Sequence, residues 1–558
     1  MNKKTLIFIT FLLMVLFSNA QSWEWVRTGD SEHTEYSDNI CVDNSGNVFV
    51  VGQSETEVSF GAITLTSTKA RFGYLTKYSP NGDALWAIKI IDSDDAYYEL
   101  MSLTTDQNGN VAVVGYFAGT QTILGEEITS NSGWRNSFIV KLNAAGEKQW
   151  ISIGTGDLDV NAFDVVSDND GNFYIVADFI REATFGTITV SANDLNLNNQ
   201  ILIVKYLADG SVAWVTQAGG LSFDNPTGIA YDGTKIFITG YFSSVNAVFG
   251  SFIVDSEEVT SIFLAQLEPT SGDFDWVKVI ESGLTVTSLN KEENCHIDVN
   301  NNAVYLTGYY RDHAAFDAYT SLDNEGEHGF LASFTKTGEV NWVHEVVSDS
   351  PGMPYSLSAL EDKIYIEGDY ITSVTINENE LVGTPPGGYF PYLTNAFLYS
   401  FSNAGEVNWA KSIDAYYASS FDAGSATVNG VAASGNYVYT SGHFTKTIEF
   451  PPFEITSNNS VDVFLAKINT LANSVESLNA DFKINIYPIP CSDIINVEFD
   501  SQLIQKITLM DLSGRELVTL LNESSGKALI DLSSFKVGIY MLTISSDKEN
   551  RSTLIIKN

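Results

Sequence analysis

Chemistry in this chain would have to come from its acids. There are 69 aspartates and glutamates against 29 lysines and arginines, a net charge of −40. Adjacent pairs such as Asp94-Asp95 and Glu126-Glu127 are the residue type of a glycosidase, whose two carboxylates act about 5–9 Å apart. Sequence proximity does not set that separation, and acids in loops are ordinarily solvated. The turn Asp168-Asn-Asp-Gly-Asn172 has the ligand types that begin a calcium loop, but lacks the later spacing and the closing glutamate. Asp and Asn also make such turns by bonding their own backbone, and that reading is preferred here. No cofactor is therefore expected, calcium being the one ion these residues would suit. The six histidines (His33, His296, His313, His328, His344, His443) show no metal-ligand spacing. No Gly-x-Ser-x-Gly elbow or phosphate loop is present, so no catalytic or metal residue is assigned.

The tyrosines offer more. Asp94-Asp-Ala-Tyr-Tyr98, Asp414-Ala-Tyr-Tyr417 and Pro385-Pro-Gly-Gly-Tyr-Phe-Pro-Tyr392 set aromatic rings beside carboxylates, which suits carbohydrate or peptide binding. Tyr97, Tyr98, Tyr389, Tyr392, Tyr416 and Tyr417 are the candidate ligand face. The competing reading packs these rings between structural units. A non-enzymatic binding protein is expected; the alternative is a hydrolase or lyase acting on extracellular polymers. The acidic balance argues against a nucleic-acid partner, since phosphate binding needs Lys and Arg gathered on one face.

A repeat must position these residues. Gly-x-x-x-Trp recurs with Trp86, Trp150, Trp214, Trp276, Trp342 and Trp409, at steps of 64, 64, 62, 66 and 67 residues. Short β runs separate the tags, punctuated by Asp/Asn/Gly turns, as in Asn172 to Ala177 and Ile201 to Tyr206. A fixed period of this kind signals a repeat architecture. A second element appears seven times, from a degenerate Gly52-Gln-Ser54 to Gly442-His-Phe444, so one copy lacks its Trp tag. That copy ends at Phe464-Leu-Ala-Lys-Ile468, and Trp25, in Trp23-Glu-Trp-Val-Arg27, has no repeat before it. The expectation is an all-β, seven-bladed propeller of four-stranded blades, in which the N-terminal strand closes the last blade. Trp25, Trp86, Trp150, Trp214, Trp276, Trp342 and Trp409 would wedge each blade against its neighbour.

Ile40-Cys-Val-Asp43, Gly46-Asn-Val-Phe-Val-Val-Gly52 and Phe464-Leu-Ala-Lys-Ile468 resemble the phrase of the bacterial β-propeller family known as SBBP repeats, over about residues 21–470. The fifth copy, at Asn300-Asn-Asn-Ala303, and the sixth, at Leu360-Glu-Asp-Lys363, depart from its Gly-Asn turn. The resemblance implies a fold and brings no catalytic residues. Gly-x-x-x-Trp is also similar to the tags of quinoprotein dehydrogenases, but those repeats are shorter and no adjacent-Cys pair accompanies it here.

Residues 1–20 read as a signal peptide: Lys3-Lys4, an apolar run from Leu6 to Phe17, and Ser18-Asn-Ala20. That run is about half the length of a membrane span, and no later stretch is longer. The three cysteines, Cys41, Cys295 and Cys491, are too few and scattered for a disulfide framework. After residue 470 the pattern stops. Residues 471–483 read as a linker, and 484–558 as a small Ig-like β-sandwich of short alternating strands. Tyr487, Pro488 and Pro490, the run Asp511-Leu-Ser-Gly514-Arg515, Gly538-Ile-Tyr540 and Lys557 resemble the type A C-terminal sorting domain of the type IX secretion system. The resemblance implies Sec export to the periplasm, then passage by the type IX machinery to the cell surface or the medium.

Overall fold

The computed structural model describes residues 21–470, apart from 95–96, 193–196, 257–259, 285–294, 318–320, 349–353, 384–392, 420–421 and 459–460. In the tail it describes 484–487, 494–510 apart from 500–503, 515–523, 527–536, 538–546 and 550–557. The leader reading of residues 1–20 and the linker reading of 471–483 lie outside them. Contacts divide the chain after Ala472.

The larger part is all-β and propeller-like. Each repeat begins with a first strand: Glu35–Val42, Tyr98–Thr105, Val160–Ser167, Asp224–Tyr231, His296–Val299, Pro354–Leu360 and Ser425–Ser434. In unit 3 the later strands are Phe173–Phe179, Gln200–Tyr206 and Val212–Gly219, joined as an antiparallel meander. The second and third strands are buried along nearly their whole length, so they read as continuous apolar runs rather than alternating ones. The fourth strand of unit 7 is supplied from the other end of the sequence. Ser22–Thr28 pairs antiparallel with Asp462–Asn469, Trp23 opposite Ile468 and Thr28 opposite Phe464.

The expected four-stranded blade holds for unit 7, whose sheet has four strands, and is corrected to larger sheets in the other units. What reads as a long loop between second and third strands contains a hairpin, such as Glu182–Phe185 with Ile188–Ser191. It pairs with the fourth strand of the preceding unit, Ala183 opposite Gly156, giving four six-stranded sheets; the hairpin of unit 1, Glu57–Phe60 with Ile63–Thr66, stays a separate two-stranded sheet. The physical reason is edge protection: a fourth strand left bare would present unpaired N–H and C=O groups. Unit 5 does this differently. Its second and third strands, Val304–Ala315 and Ser321–Phe334, run on past their normal ends, and Ala315 pairs Glu281 of unit 4, merging two units into one ten-stranded sheet.

The tail has two sheets. Ile484–Tyr487, Ile494–Phe499 and Lys527–Asp531 form one; Glu516–Glu523, Ile504–Met510, Gly538–Ser546 and Asn550–Lys557 form the other. Ile495, Val497 and Ile530 from the first pack with Ile507, Leu509, Leu542 and Ile555 from the second, which is a β-sandwich core.

Candidate functional site: an acid-lined central cavity

The first strands supply most of the wall of one cavity in the larger part. In six of the seven units the ladder between first and second strands slips by one residue, at Ser37/Asn39, Leu100/Ser102, Ala162/Asp164, Pro226/Gly228, Pro354/Ser356 and Val428/Gly430. A bulge leaves one residue unpaired and re-aims its side chain. Those residues, Asp38, Met101, Phe163, Thr227, Tyr355 and Asn429, all line one cavity of about 850 Å³. Unit 5 contributes His296, Ile297 and Asp298, so all seven first strands share its wall.

Hydrogen bonds that involve side chains tie each of these first strands to the neighbouring unit. Asn39 Nδ2 donates to Met101 O at 3.3 Å, and Ser102 Oγ to Asp164 Oδ1 at 2.7 Å. The Ile229 N–H donates to Asp164 Oδ2 at 2.9 Å, and Thr227 Oγ1 to Cys295 O at 2.8 Å. The Ala359 N–H donates to Asp298 Oδ2 at 2.7 Å, and the Val431 N–H to Ser356 Oγ at 3.0 Å. Between unit 7 and unit 1, Ser37 and Ser441 meet through their hydroxyls at 3.0 Å. Asp164 and Asp298 are each pushed up to about 6 by burial, against the hydrogen bonds that favour their charged forms.

One end of the cavity is polar. Gln53 Nε2 donates to Asp38 Oδ2 at 3.2 Å and to Glu99 Oε2 at 3.1 Å, while Arg71 Nη1 donates to Gln53 Oε1 at 3.4 Å. Across from them the Tyr36 and His443 rings meet edge to face at 5.0 Å, and His443 Nδ1 lies 2.9 Å from Asn429 Oδ1. Tyr36 is 37% exposed, which marks this end as open. The lining holds five carboxylates (Asp38, Glu99, Asp164, Asp298, Asp369) against one guanidinium, Arg71, and two imidazoles. Sequence reading passed over Tyr36, Asp38, Gln53, Glu99 and His443. The signal available for them was the variable residues five and seven places before each Asp/Asn turn and the residue just after each Gly of the Gly-aromatic element.

The sequence-predicted tyrosines divide. Tyr97 and Tyr416 are exposed, at 67% and 47%, on connections that lead into first strands. Tyr98 is a correction: it is 1% exposed, packed with Leu100, Phe117 and Phe138, because it opens a first strand on the side facing the sheet interior. Tyr417 lies in a short strand opposite Ala423, and Tyr389 and Tyr392 lie outside the described residues. Among the described residues, buried Tyr98 is therefore set apart from exposed Tyr97 and Tyr416. The calcium-like turn is spent on itself: Asp168 Oδ1 accepts from the Asp170 and Asn172 N–H groups, and Oδ2 from Asn172 Nδ2 and the Tyr174 hydroxyl. Among the described residues no three His, Cys, Asp or Glu stand together as a metal-binding group.

The tryptophans form the joints. Trp150 Nε1 donates to Ala208 O of the next unit at 3.1 Å, and Trp214 Nε1 to Pro269 O at 3.2 Å. Each indole lies on the glycine of the following tag, so that a Cβ on Gly272 would come within 2.9 Å of Trp214. The tag's glycine thus seats the preceding unit's tryptophan as well as turning its own chain. Trp86, Trp276 and Trp342 repeat this contact. Trp25 makes it from unit 7 to Pro80 O at 3.3 Å. Trp409, whose following unit has no tag, packs instead against Tyr365 at 6.1 Å.

In the tail, Tyr487 pairs Asn496, and Gly538 pairs Lys557. The Tyr540 hydroxyl donates to Lys536 O at 2.6 Å, and buried Lys557 Nζ to Leu532 O at 2.5 Å. Pro488, Pro490, Asp511 and Gly514 lie outside the described residues. Residues 485–558 match the family model described as the secretion system C-terminal sorting domain. The chain thus carries a type IX secretion address, to the cell surface or exterior. No helix among the described residues is long and apolar enough to cross a membrane.

Other comparisons are distant. An uncharacterised WD repeat-containing protein of Acanthamoeba polyphaga mimivirus is 22% identical over 38% of this chain, and the match spans 18% of that protein's length. A protein of unknown function from Dyadobacter fermentans aligns over 80% of this chain and 99% of its own, at 8% identity and a TM-score of 0.35. The quinohemoprotein alcohol dehydrogenase of Comamonas testosteroni aligns over 85% and 79%, at 10% identity and a TM-score of 0.38.

Proposed function

We propose that the seven units form a closed, seven-bladed β-propeller of the SBBP-repeat type, and that it binds an extracellular glycan or peptide at the polar end of its central cavity. Closure is supported by the pairing of Ser22–Thr28 with unit 7 and by the hydrogen bond of Ser37, in the first strand of unit 1, to Ser441, in the second strand of unit 7. The observation that carries the binding reading is the arrangement of side chains at the open end. Tyr36 and His443 supply aromatic faces, and Asp38, Gln53 and Glu99 supply hydrogen-bonding groups, on a scaffold whose strands fix them. A few convergent polar groups in a concave site with aromatic walls suit a polyhydroxylated or peptide ligand. Two of the five lining carboxyls, Asp164 and Asp298, accept hydrogen bonds from main-chain N–H groups of neighbouring units, and Asp38 and Glu99 share the Gln53 amide. Binding without catalysis is the preferred reading.

The test is a glycan and peptide array probed with the exported protein, followed by titration of any hit. An aromatic contact in such a site contributes about 1–2 kcal/mol, so the double variant Tyr36→Ala/His443→Ala should weaken a hit at least tenfold. Unchanged affinity in that variant, with binding lost instead on substituting Tyr97 and Tyr416, would move the site to the outer loops.

A further inference from the structure

At the open, polar end of the cavity, Tyr36 and Glu99 sit at the starts of first strands, and Gln53 and His443 near the ends of second strands. The same strand ends carry an apolar patch at the joint between units 3 and 4. Leu197 lies just before the third strand of unit 3, Leu221 and Phe223 on the connection into the first strand of unit 4, and Val245 just after the second strand of unit 4. Hydrogen bonds hold these three segments together. Asn198 Nδ2 donates to Leu221 O at 2.8 Å, the Ser222 N–H to Ser244 Oγ at 2.8 Å, and the Ser243 N–H to Phe223 O at 2.9 Å. Leu197, Leu221 and Val245 are nonetheless 65%, 60% and 65% exposed, and Phe223 is exposed beside them. Other joints carry acids at this place: Asp157 and Asp159 follow Gly156, and Asp30 and Glu32 follow Gly29, whereas Gly219-Gly-Leu-Ser-Phe223 has no charged residue. The exposure is particular to this joint and not a by-product of the repeat. Single exposed apolar residues are ordinary, but several adjoining on one surface mark a place where another molecule docks.

We infer that the ligand of this face is a polypeptide rather than a glycan: an extended segment with a lysine or arginine side chain at the open end of the cavity and aliphatic side chains on Leu197, Leu221 and Val245. The assignment rests on the open end being the binding site proposed above. Sugar hydroxyls take hydrogen bonds and sugar rings stack on aromatic faces; the side chains of Leu and Val offer neither. Apolar side chains of a peptide, by contrast, leave water on docking against them. Charge selects the other anchor. The cavity lining sets five carboxylates against Arg71, in a chain of net charge −40, so a cationic side chain is drawn to it and an acidic ligand is repelled. No lysine or arginine lies in 197–199, 220–223 or 243–246 to alter that balance at the patch. In the proposed ring of seven, units 3 and 4 stand across from units 7 and 1. A ligand touching both runs across the cavity opening, as an extended peptide can at about 3.3 Å per residue.

The test pans a phage-displayed library of random dodecapeptides against the full chain, alongside the glycan array, and titrates the selected peptides. These should be rich in Lys or Arg and in Leu, Ile or Val, poor in Asp and Glu, and should bind more weakly as salt rises. Leu221→Ser/Val245→Ser should weaken them about tenfold, as should Tyr36→Ala/His443→Ala. Unchanged melting temperatures show that the variants keep the fold; should the second double variant fail to fold, Tyr36→Ala alone replaces it. Glycan hits alone, weakened by Tyr36→Ala/His443→Ala, would overturn the peptide assignment and leave the open end of the cavity as the binding site. Peptides that keep their affinity in Leu221→Ser/Val245→Ser would do the same. Ligands of either kind that bind Tyr36→Ala/His443→Ala as well as the parent would overturn the binding site itself, and the peptide assignment with it. A library that yields no binder overturns the assignment too.

Discussion

The joint between units 3 and 4 and the joint between units 7 and 1 are built from the same parts. In the first, Trp214 Nε1 and Lys205 Nζ both donate to Pro269 O, at 3.2 and 3.0 Å. In the second, Trp25 Nε1 and Lys467 Nζ both donate to Pro80 O, at 3.3 and 3.1 Å. The difference is covalent. Trp214 and Lys205 belong to one continuous hairpin, whereas Trp25 and Lys467 come from opposite ends of the repeat array. Arg27 stands where the ordinary joint has Thr216: its Nε donates to Gly82 O at 2.8 Å, as Thr216 Oγ1 donates to Gly272 O at 3.1 Å, and its guanidinium also lies 5.1 Å from the Trp25 ring. The repeat therefore makes its last joint by reproducing side-chain geometry that chain connectivity supplies elsewhere, and reinforces it.

The comparison breaks most completely if residues 21–28 are removed. That exposes the edge of Asp462–Asn469 and deletes Trp23 and Trp25, which are 4% and 8% exposed. A buried Trp lost to a smaller side chain costs about 3–5 kcal/mol, so losing two approaches the whole stability of a typical domain, about 5–15 kcal/mol. The truncated chain should fail to unfold cooperatively in circular dichroism melts, and a synthetic peptide of residues 21–30 added in trans should restore part of the transition. A truncated chain that melts like the parent would show that the array does not need this joint.

Trp25→Ala against Trp214→Ala gives a finer contrast. Both indoles lie on a left-handed glycine, Gly82 at φ 81° and Gly272 at φ 76°. Trp25→Ala should cost more in urea unfolding, by about 1 kcal/mol beyond the ~3 kcal/mol expected of either, because its strand has one covalent anchor rather than two. Equal costs would mean that connectivity adds nothing to the joint.

How much of this was legible in the sequence follows from what repeats and what does not. The joints were legible because Trp and Gly recur at a fixed spacing, and the lone Trp25 could be matched to the copy without a tag. The outer hairpins were not, although Phe60-Gly61, Phe185-Gly186 and Phe249-Gly250 mark their turns. Their strands are only three or four residues long, too short for alternation to stand out, and their partner lies in the preceding unit. The cavity side chains escaped for the opposite reason. Asp38, Met101, Phe163, Thr227, Tyr355 and Asn429 occupy one bulge position, yet share no chemistry, so no pattern points to them. Tyr98 was misplaced because a tyrosine pair before a strand looks the same whether its second ring faces solvent or core.

The smallest expected effect concerns pH, and it separates the closing joint from the others. Burial raises Asp164, Asp178, Asp224 and Asp298 to about 6 each, and Glu35 to about 8. A carboxyl in the unfolded chain titrates near ~4. Between those values the folded protein holds more protons than the unfolded one, so its stability falls as pH rises and is regained on acidification. Asp168 and Asp232 act in the opposite sense: despite burial, hydrogen bonds from Asn172 to the one and from Lys336 to the other hold them below the ordinary range. Their stabilisation is lost only below about pH 4. The melting temperature should therefore climb by a few degrees from pH 8 to about pH 5, against the usual trend of acid destabilisation. The segment between pH 8 and 6 belongs to Glu35 and to Glu367, which burial holds well above its ordinary value, since the four aspartates change most between about pH 7 and 5. Glu35→Gln should lessen the slope from pH 8 down to about pH 5, while Asp298→Asn should lessen it only below about pH 7. A slope that Glu35→Gln leaves unchanged would mean that the closing joint holds no carboxyl raised by burial.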